Sequence, residues 1–536
     1  MKYLKDDYSI IYVKTGPDLG RLNFSQLSSA RLGAPEAGPE MAAKFPRLGE
    51  DLSFQSGLDA RQVRMINRML AVLGIGLICV PVVTLISLSS ALFAFFSVLI
   101  FWRGFLVFVG ICVRGTRRRS VSAVARDGTL PIYSILVPLY QEARVIPQIA
   151  QALSKLDWPA DRLDIQVLLE VDDAGTIAAA QAAAFPPNTR LRMIPAGGPR
   201  TKPNALNHGL SEAFGRYVTV YDAEDIPHPD QLRAAHQAFE MAPHTLVCVQ
   251  APLIGDPARG GWLGAQWALE YAIQFGLLLP SLALYRMPLL IGGTSNHFRK
   301  DALRALGGWD SWNVTEDADL GMRIARAGLT CGTLPLPTIE ETPARLDVWL
   351  AQRSRWIKGF LQTWLVLMRT PGKTRQQMGL LPFLSMQLSL GGAILAPLCY
   401  APCTLLLILV LLSPQLSIGP HGVALVWSAL IVGLVGDVCA PGRLTPGRWI
   451  ALLTRPFYWP LHSIAAYRAI WELAKAPFFW AKTPHRPKDT EETAACSTGL
   501  SASASPSASS RWVFSHNRKW ALFAKRTSAP INSHGD

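Results

Sequence analysis

The chain has 536 residues, half of them hydrophobic and 17% charged, with a net charge of +14. That balance excludes a wholly soluble globular protein and fits one with several membrane segments. The basic residues gather beside apolar blocks, and no zinc spacing or RNA-binding motif accompanies them. This argues against a nucleic-acid partner and for a lipid bilayer or an anionic substrate.

Residues 1–60 carry scattered charges, prolines and glycines without a sustained period, so the leader is expected to be flexible. The first apolar run starts near residue 70, which argues against a cleavable signal peptide. Met69–Val113 is about twice the ~20 residues that one spanning helix needs. Two transmembrane helices are therefore expected within 61–113, near 70–88 and 91–112, with a hairpin at Ser87–Ser90. Arg61, Arg64 and Arg68 precede the block, and Arg114, Arg117, Arg118 and Arg119 follow it. Both ends should then be cytoplasmic.

From 131 to 370 the composition is globular. Ile132–Leu139, Ile165–Val171, Leu191–Ile194 and Tyr217–Tyr221 read as strands. Glu142–Leu156, Lys202–Ala213 and Asp230–Met241 read as helices. The alternation implies a mostly parallel sheet covered on both faces, with ligands at the carboxyl ends of its strands. Leu346–Met368 reads as one amphipathic helix. Residues 380–470 should contain two or three further spans plus interfacial helices: the first part of Leu380–Leu412 interfacial, about 391–412 spanning, and Gly422–Cys439 spanning. Arg455, Pro456, Pro460, His462 and Arg468 interrupt Trp449–Ile470, which favours a surface-lying segment. Residues 482–536, rich in Ser, Ala and Pro, form an expected disordered tail. The eight cysteines form no Cys-x-x-Cys pair and read as free thiols.

Several constellations could carry chemistry, and each has a plain alternative. Asp222 and Glu224 follow a strand at i, i+2. Such carboxylates suit Mg²⁺ or Mn²⁺ with the remaining ligands from phosphate and water, or they form an ordinary turn. Asp172 and Asp173 end another strand, as ligand contacts or turn formers. Thr315-Glu316-Asp317 opens a helix, where acids suit the dipole; Asp317 could also serve as a general base. Lys202 stands at a helix N-terminus, where it could meet a phosphate or solvent. Gly293, Thr294 and Ser295 form a turn that lets backbone approach a ligand. Trp309 could stack on a sugar or pack in a core. Gln352, Arg355 and Trp356, at i, i+3 and i+4, share one helix face and offer an amide, a donor fork and an apolar platform. The same helix also reads as an interfacial one.

The order of these motifs resembles that of the processive family 2 glycosyltransferases, the membrane-embedded synthases related to bacterial cellulose, hyaluronan and β-glucan synthases. The resemblance covers roughly Pro131–Arg369. It implies an α/β cytoplasmic domain of GT-A type, with a mixed, mostly parallel sheet that binds a nucleotide-sugar, flanked by transmembrane helices in the inner membrane. By resemblance, Asp173 (with Asp172) contacts the nucleotide, Lys202 the diphosphate, and Gly293-Thr294-Ser295 the acceptor region. Asp222 and Glu224 match the family's metal motif, with Glu in place of the second Asp. Asp317 matches the base, beside Glu316. Gln352, Arg355 and Trp356 match the motif that holds the acceptor end and the leaving diphosphate. The activity implied is an inverting, metal-dependent transfer from a nucleotide-sugar, with a UDP-sugar the expected donor, to a growing β-linked glycan. That glycan would cross the membrane, with or without an export partner in the membrane or periplasm. Two other readings stay open: a single-addition transferase acting on a lipid or short acceptor, and a non-catalytic membrane scaffold or receptor.

Overall fold

The computed structural model describes residues 48–116, 130–195, 199–256, 260–413, 415, 417–442 and 445–479. Most of the leader and the whole expected tail lie outside these residues.

Apolar, β-branched runs supply the strands. β1 (Tyr133–Leu139), β2 (Leu163–Glu170), β3 (Thr189–Ile194), β4 (Tyr217–Val220), β6 (Leu246–Gln250), β8 (Asn296–Arg299) and β9 (Thr330–Thr333) form one sheet in the order β3-β2-β1-β4-β8-β6-β9. The strands β1, β2, β3 and β4 run parallel, as do β6 and β9, while β8 is antiparallel to β4 and β6. Residues on β1 and β2 are buried along almost their whole length, as expected for a sheet covered on both faces. A small second sheet joins β5 (Ile226–Pro227), β10 (Thr338–Glu340) and β7 (Leu253–Gly255) in that order.

The reversal of β8 matters for the site. Its entry end lies beside the exit ends of β4 and β6, so the turn Gly292–Ser295 is delivered to the ligand edge. Ser295 N–H donates to Val220 O at 2.8 Å and Ala251 N–H to Ser295 O at 2.9 Å. Ser295 takes φ 55°, a conformation that side-chain-bearing residues seldom adopt.

Five helices among the described residues are long and apolar enough to cross a membrane: Ala60–Cys79, Pro81–Arg114, Gly261–Leu284, Leu380–Leu412 and Gly419–Cys439. The first break falls at Val80–Pro81 rather than at Ser87–Ser90, which lies inside the helix Pro81–Thr116. Pro81 has no N–H for the preceding turn and is preorganised to start a helix, whereas a helix tolerates serines. Leu380–Leu412 is one continuous helix despite Pro397 and Pro402, so the expected interfacial and spanning parts belong to a single helix. The freed backbone is partly used by neighbours: Ser463 Oγ donates to Pro397 O at 2.5 Å and Tyr467 Oη to Leu398 O at 2.9 Å.

Gly261–Leu284 was not anticipated. Half of its most apolar window is buried. It joins the sheet domain to Pro81–Thr116 through a close approach at Gly110, where a Cβ would lie 2.6 Å from Leu277 O, and through Ser281 Oγ donating to Leu106 O at 2.7 Å. The segment expected to lie at the surface forms Pro446–Leu453 and Arg455–Lys475. Residues 48–59 of the leader are docked, contrary to the expectation for residues 1–60. Ser53 Oγ and Phe54 N–H donate to the two Asp310 oxygens at 2.8 and 2.9 Å, and Phe54 is buried. Asp310 offers two acceptors to a segment whose Phe54 clusters with Leu365 and Val366.

Candidate active site

The carboxyl ends of β1, β2 and β4 open on a cavity of about 870 Å³. Its polar part is lined by Tyr140, Glu142, Glu170, Arg200, Lys202, Asp222, Glu224, Glu316, Asp317, Glu340, Gln352 and Arg355. The same cavity continues between the membrane helices past Leu99, Gly392, Leu407, Leu425 and Leu430.

Lys202 begins the helix Lys202–Ser211, with Pro203 in its first turn. Its Nζ lies 2.5 Å from Asp222 Oδ1 and donates to the Gly293 carbonyl at 2.8 Å. Burial alone would lower its pKa. Asp222, Glu316 and Asp317 outweigh that effect and raise it, so the lysine is a permanent cation. Gly293 makes the convergence possible: a Cβ there would sit 3.3 Å from Asp317 Oδ2 and 3.4 Å from Lys202 Nζ. Thr294 lines the cavity and ties its floor, donating to Val220 O at 3.2 Å and bonding to Asp225.

Asp222 and Glu224 both face the cavity. Asp225 is buried behind them, and its Oδ2 accepts from Asp222 N–H at 2.7 Å. Burial, then Asp222 and Glu224, push the Asp225 carboxyl well up. Burial and the same three acids do likewise to Glu340. Asp222, Glu224, Asp225 and Glu340 thus form one acidic cluster, of which Asp222 pairs with Lys202. Asp222 and Glu224 could hold a divalent cation there, with phosphate and water as its remaining ligands.

Thr315-Glu316-Asp317 starts the helix Glu316–Arg326 on the opposite wall. Glu316 is 3% exposed, and burial with the neighbouring Asp317 charge pushes its carboxyl up to about 8. Asp317 is partly exposed to the cavity, and desolvation raises its carboxyl too, against Lys202 and Arg355. A carboxylate raised in this way is a stronger base than one in water.

The helix Leu346–Leu367 closes the third wall with Gln352, Arg353, Arg355 and Trp356. Arg355 donates to Val314 O at 3.1 Å, Gln352 Oε1 accepts from Trp267 Nε1 at 3.1 Å, and the Trp356 ring lies 6.1 Å from that of Tyr271. Arg353, which the motif leaves unassigned, pairs with Glu270 and lies 4.5 Å from the Trp356 ring centre. Arg353 itself also lines the cavity.

Of the residues singled out from sequence, Lys202, Asp222, Glu224, Gly293, Thr294, Glu316, Asp317, Gln352, Arg355 and Trp356 line one cavity. Asp172, Asp173, Ser295 and Trp309 are not among its lining residues. Asp172 pairs with Arg200 at 2.7 Å. Asp173 caps the helix Ala174–Ala182, accepting from Thr176 N–H at 3.2 Å, and also accepts from Gln141 N–H. Ser295 is fully buried and bonds the Thr338 hydroxyl at 2.6 Å. Trp309 is a core residue, 2% exposed and edge-on to Phe298, with its backbone held by both ends of the Asn207 amide. Sequence reasoning missed Glu170, Arg200 and Glu340. Glu170 was within reach, because it is the last residue of a strand in a sheet that binds ligands at that end.

Residues 131–359 match the family model described as "Glycosyltransferase like family 2". The protein named "Probable glycosyltransferase YdaM" from Bacillus subtilis is 28% identical over 246 residues, covering 43% of this chain and 55% of that protein. A beta-monoglucosyldiacylglycerol synthase from Synechocystis is 29% identical over 286 residues, 51% and 57% of the two chains. The UDP-forming cellulose synthase catalytic subunit of Komagataeibacter sucrofermentans is 25% identical over 243 residues, 44% and 31%. The chain thus spans about half the length of the first two of these relatives. Among solved structures, the mannosyltransferase PcManGT from Pyrobaculum calidifontis, in complex with GDP-Man and Mn²⁺, aligns with a TM-score of 0.45 at 19% identity, covering 71% of this chain and 98% of that one.

Proposed function

We propose that this chain, whose residues 131–359 are a glycosyltransferase family 2 domain, transfers a sugar from a nucleotide-sugar to a hydroxyl of a growing glycan held at the membrane. The observation that supports this best is the single cavity that runs from Lys202, Asp317 and Arg355 into the space between membrane helices.

The residues divide the work. The nucleotide lies along the carboxyl ends of β1 and β2, by Tyr140 and Glu170. Lys202 and Arg355 hold the diphosphate and stabilise the charge it gains as the glycosidic bond breaks. Asp222 and Glu224 would hold a Mg²⁺ or Mn²⁺ ion, which when bound neutralises diphosphate charge. Asp317 takes the proton of the attacking hydroxyl, and Trp356 gives the acceptor sugar an apolar face. Attack from the side opposite the diphosphate inverts the anomeric centre, so an α-linked donor gives a β-linkage. The basic flanks of the membrane helices favour a cytoplasmic catalytic domain in the inner membrane, with donor supplied from the cytoplasm and the glycan leaving across the bilayer.

A second reading has its own support. The membrane limb is lined largely by aliphatic side chains such as Leu99, Leu407, Leu425 and Leu430, which suit acyl chains, and one relative is named for a glucosyldiacylglycerol product. In that case a lipid hydroxyl is the acceptor and one sugar is added.

Purified protein in nanodiscs, given Mg²⁺ or Mn²⁺ and a panel of UDP- and GDP-sugars, separates the readings. Nucleotide release with a long, alkali-stable glycan supports the first, and release with a single-sugar lipid product supports the second. No release with any donor contradicts both.

A further inference from the structure

The face of helix Leu346–Leu367 that meets the base segment is polar where a core contact is ordinarily apolar. Gln362 and Thr363 are fully buried, and Asn313 and Thr315 in the facing segment are 1% and 3% exposed. Burying such groups is unfavourable unless they are satisfied, and aliphatic residues would fill the space without that risk.

Their bonds converge on three residues of backbone. The Gln362 amide oxygen accepts from Val314 N–H at 3.0 Å, and Arg355 donates to the carbonyl of the same residue at 3.1 Å. Asn313 Nδ2 donates to Thr363 Oγ1 at 2.9 Å, while its amide oxygen accepts from Thr315 N–H at 2.9 Å. At Gly359 a Cβ would come within 2.2 Å of Thr315 Oγ1, so the helix backbone rests directly on that threonine. Arg355, Gly359, Gln362 and Thr363 are spaced i, i+4, i+7 and i+8 and therefore share one face. None of Gly359, Gln362 and Thr363 lines the cavity.

We infer that Gln362 and Thr363, with Gly359 as the contact point, are positioning residues that fix Asp317 relative to Arg355. The inference rests on Asp317 being the base, as argued above. The bonds act at the start of the helix Glu316–Arg326, and the position of that start sets where the second helical residue, Asp317, points. Gln362 also donates to Pro477 O at 3.0 Å, which anchors its amide from the far side. The base and the arginine that meets the diphosphate thus form one rigid unit, so a proton acceptor and a charge stabiliser keep their spacing through turnover. A misplacement of about 1 Å in such a pair costs on the order of 10²-fold in rate.

Thr363→Val, Thr363→Ser and Gln362→Met in the full chain in nanodiscs test this. The assay uses whichever nucleotide-sugar supports turnover and records kcat, donor KM, the pH profile and thermal unfolding. Thr363→Val and Gln362→Met are expected to lower kcat by about 10²-fold, leave donor KM unchanged and move the acid limb of the kcat profile. Thr363→Ser, which keeps the hydroxyl, should retain kcat. Unchanged kcat in the Val and Met variants, with only a lower unfolding temperature, would overturn the positioning role while Asp317→Asn remained inactive. Equal losses in Thr363→Ser and Thr363→Val would also overturn it, since packing rather than the hydrogen bond would then matter. Turnover surviving in Asp317→Asn would remove the base assignment and this inference with it.

Discussion

Lys202 Nζ lies 2.5 Å from Asp222 Oδ1, joining the start of a helix to the end of β4. The same ammonium donates to Gly293 and offsets the charges of Glu316 and Asp317. It is therefore the hub between the metal-type acids, the turn before β8 and the base segment. In the proposed reaction Lys202→Met also takes that cation away from the diphosphate. The expected outcome is a fall in kcat/KM of about 10²–10³-fold, carried by both kcat and donor KM, measured as nucleotide release at several donor concentrations.

Two tryptophans separate packing from chemistry. Trp309 is enclosed in the core against Phe298, so Trp309→Ala should cost about 3–5 kcal/mol of stability. Trp356 faces the cavity beside Tyr271. Trp356→Ala should leave the unfolding midpoint near that of the parent while acceptor KM rises and kcat falls. Denaturation curves and acceptor titrations on the same preparations check both.

Glu316 gives the stability a definite pH dependence. Its folded pKa, raised to about 8, lies above the unfolded value. The folded state therefore holds the proton more tightly, and the stabilisation is complete below the ordinary glutamate range. It is lost as pH rises from that range through about 8. Glu316→Gln, permanently neutral, should flatten the fall in unfolding temperature across that window. A slope identical to the parent's would show that Glu316 is not the group titrating.

Much of this was legible in the chain because the signals were local. The runs that became β1, β2 and β4 were strongly apolar, and the strand-end position of Asp222 and the one-face spacing of Gln352, Arg355 and Trp356 follow from period alone. What sequence concealed was non-local. The strand β8 is four residues long and reversed, and its pairing with β4 and β6 explains how the turn at Gly293 and Thr294, expected near a ligand, is delivered to the cavity. Glu340 comes from a second small sheet that no periodicity announced. Gly261–Leu284 was hidden because a helix packed on both a domain and a membrane helix has no clean polar face. Trp309 beside glycines looked like a sugar platform, and the Asn207 contacts that make it structural come from a hundred residues away in sequence. At the first membrane break, the missing N–H of Pro81 decides the matter, and the serines of Ser87–Ser90 do not.

Asp317 is proposed to act as the base for an acceptor hydroxyl beside a donor held by Lys202 and Arg355. The most direct measurement compares parent and Asp317→Asn for two quantities in the same nanodisc preparation: affinity for the nucleotide-sugar that supports turnover, and its transfer to acceptor. Donor affinity should stay close to the parent's and transfer should fall by at least about 10²-fold, the usual scale of general-base catalysis. Transfer near the parental rate with intact donor binding would contradict it.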